Sequence, residues 1–224
     1  MSAPWFDWSL IDWADIGTAT LDTLTMLGAS LTFTVLLGLP LGVLLYLLGP
    51  RRLLANKPAY AALSFVINAL RSMPFVILLI VLIPMTVKLV GTSIGVAGAI
   101  PPLVVGAAPF FARLVESALR EVDLGIVEAT QAMGATTWQI VSRALLPEAL
   151  PGLLAATTVT AVTLVSYTAM SGVIGGGGLG DLAIRYGYQR FQTEVMVITV
   201  LALLAVVQIL QMAGDWLVRR ATRK

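Results

Sequence analysis

The 224-residue chain contains no cysteine and no histidine. Without cysteine there is neither a disulfide framework nor thiol chemistry. Without histidine the chain lacks the usual base near neutral pH and the commonest metal ligand. Charge is scarce too: Asp, Glu, Lys and Arg make up 12% of residues, against roughly 25% in a soluble domain. Apolar residues fill the difference, at 58% of the chain, with a mean hydropathy of +0.92. These values point to a membrane protein. A nucleotide site is missing as well. Gly175, Gly177 and Gly180 formally match G-x-G-x-x-G, but that fingerprint requires a preceding strand and a βαβ unit, and no Lys-Ser/Thr pair follows to make a phosphate loop. These glycines are expected to form loop, with tight turns where helices converge. Nothing in the chain can hydrolyse ATP, and no cofactor is expected in it.

The apolar runs predict an all-α membrane domain over 1–224, with transmembrane helices at about 23–49, 60–88, 92–116, 152–172 and 195–217. Gly38 and Gly42, four apart in the first, suit close helix packing, and Pro40 between them suits a kink. Pro74 and Pro84 are expected to bend the second. The third carries Gly95, Gly98, Pro101, Pro102, Gly106 and Pro109 and is expected to be kinked, either broken beside a pathway or packed around the kink. Arg113, Glu116, Arg120 and Glu121 then follow at spacings that suit ion pairs along one helix face. The start is acidic: Asp7, Asp12, Asp15 and Asp22 lie among Trp5, Trp8 and Trp13, as in a surface helix or a plain tail, without the basic start of a cleavable signal peptide. The end is basic, with Arg219, Arg220, Arg223 and Lys224. Five crossings put the acidic start outside and the basic end inside. Arg51, Arg52, Lys57, Arg120 and Arg143 then also lie inside, whereas Lys88, Arg185 and Arg190 lie outside, as the positive-inside rule prefers.

One long stretch, 121–151, is neither continuously apolar nor terminal. Asp123 can cap a helix beginning at Leu124. Gly134 interrupts it, Thr136 and Gln139 read as a capping box for a second helix, and Pro147 is expected to close that one. Two short helices hinged at a glycine make a compact cytoplasmic projection.

Glu128-Ala129, Gly134 and Leu146-Pro147 resemble the EAA motif of ABC importer permeases, with Thr130 at the second alanine and Ala144 at the isoleucine. The resemblance continues through SMPFVILLIVLIPMT, VGAAPFFARLVESAL, SYTAMSGVIGGGGLG and YGY, where the chain is similar to the methionine-uptake permeases of that family. It implies the type I importer permease fold, in the bacterial cytoplasmic (inner) membrane. It also implies a homodimer in the lipid bilayer, two ABC ATPase subunits that bind ATP and Mg, and a periplasmic or lipid-anchored methionine-binding protein. No nucleic acid is implied. The ATPase-coupling residues would be Glu128, Ala129, Gly134, Ala135, Leu146 and Pro147. Glu128 read without the family is a solvated residue favouring a helix start.

The same resemblance aligns Met170 with an outer gate, with Tyr167 and Ser171 beside it. A ring of flexible apolar side chains can close a pore by excluding water. Taken by itself, Met170 reads as helix packing. Arg71, in Asn68-Ala-Leu-Arg71-Ser-Met-Pro74, is either a contact to the pathway or ATPase, or an arginine snorkelling to the membrane surface. Two other classes fit less well. Ion-coupled transporters usually carry ionisable groups at midplane, and a scaffold would not need a glycine-hinged loop.

Overall fold

The computed structural model describes residues 11–222. Asp7, Trp5 and Trp8 of the acidic start, and Arg223 and Lys224 of the basic end, lie outside the described residues. Those described form helices and turns, with no strand among them. Among the described residues, four helices are long and apolar enough to cross a membrane, or up to five if a broken pair counts as one crossing.

The first helix, α1, runs Trp13–Leu48 and begins well before the expected residue 23. The Asp12 carboxylate accepts from the backbone N–H groups of Ala14 (2.9 Å) and Asp15 (3.3 Å), which caps the helix. The hydroxyls of Thr18 and Thr20 donate to carbonyls one turn back. With Asp12 as its cap and two threonine hydroxyls bonded to its own backbone, 13–22 continues the helix rather than forming a separate surface segment. Pro40 does not interrupt α1.

The expected second crossing is not one helix. It comprises α2 (Lys57–Ser72), α3 (Phe75–Val81) and α4 (Ile83–Val90). Met73 and Pro74 are extended, with ψ of 132° and 130°, because a proline drives the residue before it out of the helical region. Leu82 makes the second break, with Pro84 in the first turn of α4. The two prolines thus do more than bend the chain: they divide it.

The third crossing departs in the other direction. Helix α5 (Gly95–Arg120) runs without interruption through Pro101, Pro102 and Pro109. Each proline removes one backbone bond, but α5 is the most buried of the four candidate spans, and packing outweighs the losses. The chain then enters the loop region 121–149, continues as α9 (Leu150–Ser171), and ends in α11 (Thr193–Thr222).

Two compact units form. The first contains residues up to Thr32, Pro74–Val105 and Ala161–Leu210. Within it the glycine stretch is not all loop: α10 (Gly178–Leu182) forms a short helix. Leu179 is buried with Ala19, Leu182 and Val195, and its N–H donates to Thr23 Oγ1 at 2.8 Å. That buried hydroxyl supplies an acceptor from α1, which holds the glycine stretch in place.

The second unit contains Phe33–Met73, Gly106–Thr160 and residues from Gln211. Its core gathers Tyr46 and Leu47 of α1, Phe111, Val115 and Leu119 of α5, and Val127, Ile140, Val141 and Leu145 of the loop region. The close packing expected at Gly42 is present. A Cβ there would stand 2.5 Å from Val115 Cβ and 2.6 Å from the Ala112 carbonyl oxygen. Only glycine lets α1 approach α5 so closely.

Candidate functional site

The 121–149 region is built from caps outward. Asp123 Oδ1 accepts from Gly125 N–H at 2.8 Å and starts α6 (Leu124–Ala132) at Leu124. After Met133 the helix ends with Gly134 N–H donating to Gln131 O (2.9 Å) and Ala135 N–H donating to Thr130 O (3.2 Å). These are the paired bonds of a Schellman ending, which needs a left-handed residue. Gly134 supplies it, at φ +82°. The chain then turns directly into a capping box: Thr136 N–H donates to Gln139 Oε1 (2.8 Å) and Gln139 N–H to Thr136 Oγ1 (3.3 Å). That box opens α7 (Thr137–Ile140).

Pro147 does not close the second helix. A π-helical turn, Val141–Leu145, follows α7 and leads into α8 (Leu146–Glu148), where Pro147 sits in the first turn. The wider turn, with Leu146 N–H bonded to Val141 O, makes room for a ring that an α-helix would drive against the Arg143 carbonyl. The coil therefore leads almost directly into α9.

Val127, Ile140, Val141, Leu145 and Ala149 bury the inner face of this element in the core. The six motif residues divide between its two faces. Glu128, Ala129, Gly134 and Pro147 are exposed, whereas Ala135 and Leu146 are half-buried and pack on that core. Two cavities flank the element. One, of about 370 Å³, lies between Arg51 and Arg52 after α1 and Leu124, Glu128 and Gln131 of α6. The other, about 480 Å³, is an apolar groove between Leu39, Val43 and Leu47 of α1 and Trp138 and Leu146.

The expected gate residues differ in their surroundings. Met170 is 44% exposed. Tyr167 is half-buried and stacks face to face on Phe75, with ring centroids 4.2 Å apart and planes within 3°. Ser171 is buried; its hydroxyl donates to Thr168 O at 2.7 Å and lies 3.9 Å from Met26 Sδ. Ser171 is thus a packing residue between α9 and α1. Arg71 belongs to the other unit, where it is exposed with its guanidinium 5.8 Å from the centre of the Phe110 ring.

Residues 19–223 match the family model of the binding-protein-dependent transport system inner membrane component. The chain belongs to this family. Among its relatives is the probable D-methionine transport system permease protein MetI of Vibrio cholerae, 52% identical over 92% of both chains. The D-methionine transport system permease protein MetI of Escherichia coli K12 is 51% identical over 91% of this chain and 94% of its own. A solved chain of the MetNI methionine ABC transporter, in an inward-facing conformation, superimposes with a TM-score of 0.91 at 48% identity, over 93% of this chain and 96% of that one. A chain from an amino acid ABC transporter shares the fold at 20% identity, with a TM-score of 0.74.

In this member of the family, sequence reasoning missed two features. Met133 and Trp138 are 78% and 74% exposed, large apolar side chains pointing away from a loop packed on its other face. Their spacing does not distinguish an outward tryptophan from a buried one, because α7 has only four residues, about one turn, too few for apolar positions to mark a face. The second feature is the setting of Glu116, only 4% exposed. The pairs Arg113–Glu116 and Glu116–Arg120 form as their spacing predicts, each at 2.6 Å. That the carboxylate is buried, and also bonded by Tyr60 of α2, was not legible along one helix.

Proposed function

We propose that this chain is the membrane-spanning subunit of an ATP-driven methionine importer, working as a homodimer with two ATPase subunits and an external methionine-binding protein. The observation that carries this reading is similarity of about half identity, over nine-tenths of both chains, to proteins named for methionine transport. The pathway runs through the helices of the dimer, and ATP is bound and hydrolysed by the partner.

The 121–149 element faces the cytoplasm and docks into the ATPase through its exposed side, with Glu128 as the polar contact. Three features support docking: both short helices are capped, the Gly134 turn is locked by backbone bonds, and the inner face is anchored in the core. A peg already ordered before contact loses little entropy on binding. Met170 is proposed as the outer gate, with the Phe75–Tyr167 stack holding its helix. Arg71 snorkels at the membrane surface over Phe110.

The deciding experiment is labelled methionine uptake in proteoliposomes holding permease, ATPase and binding protein, with other amino acids as competitors. Uptake that requires ATP and is suppressed by unlabelled methionine is expected. Suppression by a different amino acid alone would reassign the cargo. Glu128→Lys should abolish co-purification of the ATPase while leaving membrane insertion intact; full retention of the ATPase would remove the docking assignment.

A further inference from the structure

The base of the loop carries a polar cluster that docking does not use. Glu116 is buried on α5 and its Oε1 accepts from Tyr60 Oη (3.0 Å) and from Arg120 Nη2 (2.6 Å) and Nε (3.2 Å). Its Oε2 accepts from Arg113 Nη1 at 2.6 Å. Both arginines then reach α2: Arg120 Nη2 donates to Tyr60 Oη (3.2 Å), and Arg113 Nη2 to Asn68 Oδ1 (3.2 Å) and the Ser64 carbonyl (3.4 Å). Arg120 also lies against the end of α1, its Nη2 3.6 Å from where a Cβ on Gly49 would stand. It is the last residue of α5, and Asp123, the cap of α6, follows within one turn.

We infer that Glu116 is a positioning residue for transport: through Arg113, Arg120 and Tyr60 it ties α2 to the α5 end that carries the docking element, so that displacement of that element moves α2 as well. Stability alone gives little reason for such a cluster, since apolar side chains of similar volume often replace buried ion pairs at no loss. Directional bonds do what apolar packing cannot. They fix two helices in one register, so that α2 cannot slide when α5 is pushed. The inference rests on the loop being the ATPase dock.

The test is the ratio of methionine imported to ATP hydrolysed, measured on the complete complex in proteoliposomes. Glu116→Gln keeps the shape and an acceptor oxygen but removes both ion pairs. It is expected to assemble and turn over ATP, with the ratio falling roughly tenfold, a size that changes within a coupled network produce. Tyr60→Phe deletes the hydroxyl through which α2 reaches Glu116 and Arg120, leaving the Arg113 bonds to Asn68 and Ser64, and should lower the ratio several-fold while the complex still assembles. A merely structural role would reduce assembly and leave the ratio unchanged. The inference fails if Tyr60→Phe keeps the wild-type ratio, whether or not Glu116→Gln assembles. The dock is judged separately, by ATPase co-purification with Glu128→Lys.

Discussion

Gly134 offers a clean measurement of how much order the docking element needs. Its φ of +82° lies in the left-handed region, and a Cβ added there meets nothing within 4 Å. Gly134→Ala therefore introduces no clash, and its whole cost is conformational, about 1–2 kcal/mol for an L-residue forced left-handed. Since about 1.4 kcal/mol is a factor of ten, local opening should become about five- to thirtyfold more frequent. The reporters are the amides of Gly134's neighbours, above all Ala135 N–H, which bonds Thr130 O, and Gln139 N–H in the capping box. Hydrogen exchange read by mass spectrometry on the purified protein should show peptides covering 130–140 exchanging faster by that factor, with α9 and α11 unchanged. Gly134→Asn tolerates the left-handed region better and should fall between alanine and glycine. Wild-type exchange in Gly134→Ala would refute the Schellman turn as the hinge. Equal acceleration across the whole chain would show a global rather than a local loss.

Three further outcomes follow from other contacts. Gly42→Val should destabilise the protein by roughly 1–3 kcal/mol through overpacking against α5, whereas Gly28→Val, at a position with no neighbour within 4 Å, should leave the melting temperature of the detergent-purified protein unchanged. Thr23→Val leaves the buried Leu179 N–H without its acceptor, which costs about 1–3 kcal/mol. Limited proteolysis within 175–190 should accelerate in that variant but not in Thr23→Ser. If Met170 closes the outer gate, Met170→Gly should let labelled methionine leak through the reconstituted complex without ATP, while Ser171→Ala, at a packing position, should not; no leak in Met170→Gly would remove the gate assignment.

Local chemistry explains which expectations matched the structure. The Asp123 cap, the Thr136–Gln139 box and the Gly134 break involve atoms within a few residues of one another, so spacing alone specifies them. The Arg113–Glu116–Arg120 pairs are legible for the same reason. Prolines are less legible because their effect depends on what surrounds them. In α5, a deeply packed helix, Pro101, Pro102 and Pro109 are carried without a break. At Pro74 the chain divides, and before Pro147 a π turn absorbs the ring.

The sequence by itself determined that this is a helical membrane protein with a capped, glycine-hinged loop, because hydropathy and capping are properties of short stretches. Only the tertiary structure decided that Ser171 packs against α1 while Met170 stays exposed, that Thr23 receives the Leu179 N–H, and that Tyr60 meets a buried Glu116. Those contacts join residues far apart in the chain, and their partners are selected by which helix faces meet, a choice that no local spacing encodes.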